Sequence, residues 1–187
     1  MGRTEIGFGD DLMISGQARV MQQTDPRKVR VICPKRINQW SEIWDGNPRI
    51  AKVGERGDFQ ELWARDPVTN MRPYHTAKTR ERWTYNLDFR PDVGEIYFTD
   101  AEKAFGARHI GKVIIEPCVK SWASPNKQWS LARWKALAWE LSKDGVRVTQ
   151  LGPAGTPVVD GAELIVTSSF RLACAVLERA RAAVLPE

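Results

Sequence analysis

The sequence predicts an α/β protein with parallel sheets, and three observations carry that prediction. "KVIIEP" (112–117) is a short continuous apolar run closed by Pro117, the pattern of a strand buried on both faces. "SLARWKALAWELSKDG" follows, placing Leu131, Trp134, Leu137, Ala138 and Leu141 on one helical face. "VRVTQLG" (146–152) then reads as a strand ended by Gly152. Strand, helix and strand in that order are the signature of a right-handed parallel unit.

Taken from the N-terminus, "GFGDDLMISGQARVMQQT" predicts a glycine turn and then a helix, with Leu12, Ile14, Ala18 and Met21 apolar. "KVRVICP" (28–34) is a strand candidate. Residues 35–90 hold four tryptophans among charges and prolines and predict only short elements and loops. "GEIYFTDAEKAFG" (94–106) is a strand or extended segment leading to a short helix or turn, and the domain junction is expected around Phe105–Gly111. In the second half Ser130 is placed to cap a helix and Gly145 to stop it. "LIV" (164–166) fits either a short strand or a loop. Ser168 or Ser169 caps a helix running to about Arg181, with Phe170, Ala173, Val176, Leu177 and Ala180 inward, and "AAVLP" begins another strand.

The chain has 187 residues, 42% hydrophobic and 27% charged, a globular composition that excludes disordered and fibrous classes. A net charge of +5 and a pI near 9.3 favour a phosphate-bearing partner, or serve surface solubility. Cys33, Cys118 and Cys174 are odd in number and form no CxxC pair, so a reducing, cytoplasmic setting is expected rather than disulfides or zinc. His75 and His109 cannot make a histidine-rich metal site, and surface positions are expected for both. No leader-like or membrane-spanning apolar run is visible.

Two stretches carry candidate chemistry. In "GFGDD" (7–11) the glycines let the backbone approach a ligand, and the helix N-terminus favours negative charge. It lacks the third glycine and distant acid of the dinucleotide fingerprint. One of its acids is a general base facing a cleft, or both merely stabilise the first turn by about 0.3–1 kcal/mol. "SWASPNKQWS" (121–130) sets hydroxyls, Lys127 and free helix N–H groups at the carboxyl end of a buried strand, where open α/β sheets bind ligands. The bland alternative is a solvated lysine beside a capping serine. The eight tryptophans read mainly as packing, including Trp134 and Trp139 at core spacing, and "TAKTRER" (76–82) as a solvated basic face.

Together these stretches resemble the family 9 glycosyltransferases, the ADP-heptose:LPS heptosyltransferase-like proteins of GT-B fold. "EPCVKSWASPNKQWSLARWKALAWELSKDGVRVTQLG" resembles the start of that family's C-terminal domain, and "GAELIVTSSFRLACAVLERARAAVLPE" its next stretch. "GFGDDLMISGQAR" is similar to the N-terminal Gly-Asp turn and first helix. The resemblance covers residues 5–34 and 112–187. It implies a GT-B-like α/β fold of two Rossmann-like parallel-sheet halves: residues 1–108 on the acceptor side, and residues 109–187 binding the nucleotide sugar, the second half incomplete.

The same resemblance implies site residues. Asp10, directly after Gly9, falls on the catalytic base, and Lys127 on the lysine that contacts the donor diphosphate. Trp122 and Ala123 stand where the family often has adjacent hydroxyl residues, so Ser121 and Ser124 are the hydroxyls expected at the donor. The implied activity is metal-independent transfer from a nucleoside-diphosphate sugar to an acceptor hydroxyl, with no further cofactor. The acceptor classes are a glycan, a lipid-linked sugar or a nucleic acid, and oligomeric state is not specified. The family's diphosphate-cradling Gly/His segment would begin where this sequence ends, at Glu187. The alternative expectation is therefore a truncated or reduced non-catalytic relative that binds nucleotide, nucleic acid or a protein partner.

Overall fold

The computed structural model describes residues 7–79, 82–118 and 128–185. The chain divides into two compact units, residues 1–97 and 98–187.

In the first unit, α1 (Phe8–Thr24) begins one residue earlier than a separate glycine turn would allow. Gly7 is its N-cap, and Gly9 lies within the first turn rather than before it. The adjacent acids diverge. Asp10 reaches back to the Gly7 N–H (3.2 Å), one arm of a capping box. Asp11 is buried, accepting from the Ser41 hydroxyl at 2.6 Å, while its backbone carbonyl accepts from the Trp44 indole at 2.8 Å. Asp11 thereby ties α1 to the 3₁₀ turn Glu42–Trp44.

Strand β1 (Val29–Ile32) pairs in parallel with β2 (Gln60–Trp63), and β3 (His75–Lys78) pairs antiparallel with β4 (Trp83–Tyr85). These are the short elements expected of residues 35–90. The segment 92–94 crosses α1 at two glycines. A Cβ on Gly16 would lie 2.7 Å from the Asp92 carbonyl oxygen, and one on Gly94 would lie 2.7 Å from that of Leu12.

The second unit starts before the expected junction, because α2 (Asp100–Ala107) packs on α4 (Phe170–Arg179). Its sheet contains β5 (Val113–Ile115), β6 (Val148–Gly152), β7 (Ala162–Val166) and β8 (Ala182–Val184). All pairings are parallel, in the spatial order β7-β6-β5-β8. Counting these strands in chain order, that is 3-2-1-4, the doubly wound order whose direction reverses between β5 and β8. "LIV" therefore belongs to a five-residue strand. No helix joins β6 to β7; the buried Gln150 amide holds the 153–161 loop instead, donating to the Pro157 carbonyl (2.9 Å) and accepting from the Val159 N–H (3.0 Å).

Helix α3 (Leu131–Lys143) is capped by Ser130 and α4 by Ser169, each hydroxyl accepting from the N–H three residues on. Trp134 and Ala138 bury against Ile115 and Val148, with Leu137 and Leu141 beside them. Val176 buries against Ile114, Leu151 and Ile165, flanked by Phe105, Ala173 and Leu177.

Two members of the expected core are on the surface. Trp139 is 65% exposed and Leu131 58% exposed, because α3 buries only a narrow stripe and these side chains flank it. The histidines depart in the other direction. His75 and His109 are half-buried, the first edge-on to Tyr74 and Tyr85, the second against Phe105.

At the α2–α4 crossing a Cβ on Gly106 would collide with the Ala175 carbonyl oxygen. Gly106→Ala is expected to cost about 1–3 kcal/mol by forcing the helices apart. Urea denaturation checks this, and an unchanged midpoint would show that the crossing widens freely.

Candidate functional site

Asp10 stands at the edge of a cavity of about 510 Å³ within the first unit. One face of α1 (Asp10, Met13, Ile14 and Gln17) forms one wall. The end of β2 and the residues after it, including Trp63 and Arg65, form another, and Arg72 and His75 complete it. The cavity therefore lies at the carboxyl end of a parallel strand and beside a helix N-terminus. Both features favour anionic or polar ligands.

The Asp10 carboxylate is held from several sides. Besides the Gly7 N–H, Tyr74 donates its hydroxyl to Oδ1 at 2.7 Å, and an Arg72 Nη lies 3.1 Å from Oδ2. Arg72 also donates to the Tyr74 oxygen at 2.6 Å, so arginine, phenol and carboxylate close a triangle. Burial, joined by the hydrogen bond and charge of Asp10, pushes the Tyr74 hydroxyl up to about 12. The phenol thus stays protonated at ordinary pH and keeps donating. A carboxylate offers about four acceptor directions. Three are taken, which leaves one through which Asp10 can accept from a ligand hydroxyl.

Gly9 has open space where a Cβ would stand, so the backbone is approachable there. Ser121, Ser124 and Lys127 lie outside the described residues. What the structure does describe is their surroundings. Glu116, Pro117 and Cys118 leave the carboxyl end of β5, and the Glu116 N–H donates to the Val184 carbonyl of β8 at 3.1 Å. That is the point where the strand order reverses. Burial pushes the Glu116 carboxyl up, against a backbone hydrogen bond from the Cys118 N–H.

Arg72, Tyr74, Trp63 and Arg65 were not legible in the sequence as site residues. Arg72 and Tyr74 contact Asp10 from more than 60 positions away, in a stretch without periodicity. The diagnostic signal is spatial. His75 carried a signal, but a lone histidine is by default a surface one.

A structure of a glycosyl transferase family 9 protein from Veillonella parvula DSM 2008 superimposes on this chain with a TM-score of 0.61. The match covers 96% of this chain and 73% of that one, at 12% identity. The likeness is one of fold. It bears out the GT-B-like α/β architecture with parallel sheets that the sequence resemblance implies. No family model matches the chain, and no curated protein matches it by sequence. Among the described residues no helix is long and apolar enough to cross a membrane.

Proposed function

We propose that this protein is glycosyltransferase-like, moving a sugar from a nucleoside-diphosphate sugar to an acceptor hydroxyl without a metal ion. The observation that carries the reading is Asp10 on the wall of a cavity in a chain that is similar in fold, over 96% of its length, to a family 9 glycosyltransferase. Asp10 takes the acceptor proton as the hydroxyl oxygen attacks the anomeric carbon, and the bond from that carbon to the diphosphate oxygen breaks. The one remaining acceptor direction on the carboxylate suffices for that proton. Arg72 and Tyr74 fix the carboxylate's orientation.

Lys127, Ser121 and Ser124, with the N-terminal N–H groups of α3, hold the diphosphate and offset its charge as it leaves. Gly9 leaves the backbone open to substrate. The first unit is the acceptor side and the second the donor side. A glycan or lipid-linked sugar fits an uncharged hydroxyl acceptor, and the heptosyl class is the specific family relation proposed.

A nucleoside diphosphate should protect the chain against thermal unfolding, and the nucleoside alone should protect little. Lys127→Ala is expected to weaken that protection by about 1–3 kcal/mol, the scale of a charge-assisted contact. Equal protection of the variant and the parent would remove Lys127 from the site.

A second reading is favoured by one observation: the Asp10 carboxylate already has an arginine and a phenol as partners. A carboxylate so engaged also suits a non-catalytic protein that binds nucleotide, nucleic acid or a protein through the same fold. The two readings part at Asp10→Asn, argued below.

A further inference from the structure

The amino edge of the second unit's sheet lies opposite the edge assigned to the donor, and it carries an unusual row of cations. Val113 stands in register with Val148 on one side and Ala182 on the other. The residues one step earlier are Lys112, Arg147 and Arg181, so three adjacent parallel strands each enter the sheet behind a basic residue. Strand spacing sets their backbones about 4.8 Å apart. The Arg181 N–H donates to the Lys112 carbonyl at 2.9 Å, which locks two of them side by side.

The turn leading into β5 adds Arg108, stacked over the Phe105 ring at 4.9 Å, and Ile110, 66% exposed at its crest. Gly111, at φ +74°, closes this turn by donating to the Arg179 carbonyl. Two acids answer the cations directly: Glu163 pairs with Lys112 at 3.0 Å, and Glu178 with Arg179 at 3.2 Å. Among the described residues Arg108, Arg147 and Arg181 make no ion pair, and all three are exposed.

Cations at helix C-termini complement the helix dipole, which accounts for Lys143 and Arg179. It does not account for cations that open strands, nor for an isoleucine held out among them. We propose that this edge docks on an anionic lipid bilayer, with Ile110 entering the headgroup–acyl boundary and Arg108, Arg147 and Arg181 facing lipid phosphates.

The alternative polyanion is nucleic acid. Its single-stranded form is gripped by aromatic stacking and its duplex form by tracked phosphates. An aliphatic crest offers neither. In a bilayer the same side chain gains by leaving water, and each nearby basic residue adds about fivefold in binding. This surface goes beyond the transfer reaction and does not depend on it.

The test is cosedimentation of the full chain with phosphatidylcholine vesicles, with and without phosphatidylglycerol, at low salt. Binding is expected only to the anionic vesicles. The double variant Arg147→Ala, Arg181→Ala should weaken it by about thirtyfold. Ile110→Ser should weaken it about fivefold and leave all charges in place. Circular dichroism confirms that these surface variants fold. Equal binding to neutral vesicles, or no binding to anionic ones, overturns the proposal. So does an unchanged double variant. Unchanged binding by Ile110→Ser, with duplex DNA displacing the vesicles, would show a general polyanion surface instead.

Discussion

Glu102→Ala is expected to destabilise the protein by about 3–5 kcal/mol, the scale for removing one partner of a buried ion pair. Arg171, with its side chain 6% exposed, donates through two guanidinium nitrogens to Glu102 at 2.7 and 2.8 Å. Glu102 is 14% exposed and also closes the capping box of α2, accepting from the Thr99 N–H at 2.7 Å. Alanine leaves the guanidinium buried without its carboxylate and opens the cap. Replacing both partners by leucine should cost far less, because no charge is then left buried. Urea denaturation at neutral pH compares the three chains. A loss under about 1 kcal/mol for Glu102→Ala would mean that water reaches Arg171.

The same pair sets a pH dependence. The hydrogen bonds from Arg171 hold the Glu102 carboxyl down at about 2, below its ordinary 4.5, against the opposing effect of burial. A depressed folded value stabilises at pH above the unfolded one. That contribution is complete above about 4.5 and is lost as pH falls toward 2. Acid unfolding of the parent, and its flattening in the double leucine variant, follow from this.

Asp10→Asn is expected to lower sugar transfer by roughly 10²–10⁴-fold while donor binding stays nearly intact. Asparagine keeps the size and can still meet the Gly7 N–H and the Tyr74 hydroxyl, but it cannot take a proton. Its loss of charge also frees Arg72 from a 3.1 Å partner. Tyr74→Phe separates orientation from proton acceptance, since it removes the 2.7 Å hydroxyl contact and leaves the carboxylate. If Asp10 only favours the helix N-terminus, Asp10→Asn costs about 0.3–1 kcal/mol of stability and activity remains.

The second unit was largely legible in the sequence because its signals are local. A continuous apolar run marked β5, a stretch ended by Gly152 marked β6, and Ser130 and the Ser168–Ser169 pair marked the starts of α3 and α4. β7 was ambiguous since only Ile165 of its five residues is buried, as suits an edge strand. Trp139 misled because helical spacing fixes a face but not how wide a stripe is covered. The first unit was opaque because "QELW" becomes strand β2 only by pairing with β1, about 30 residues earlier. Its candidate site had one legible member, Asp10, whose distant partners leave no mark in the local pattern.

The central claim is that a nucleoside diphosphate is held at the strand-order reversal of the second unit. Hydrogen–deuterium exchange with and without the diphosphate tests it most directly. The account predicts slowed exchange concentrated between residues 116 and 133, at the end of β5 and the start of α3. Slowed exchange confined to the cavity lined by Asp10, Trp63 and Arg72, or none anywhere, would contradict it.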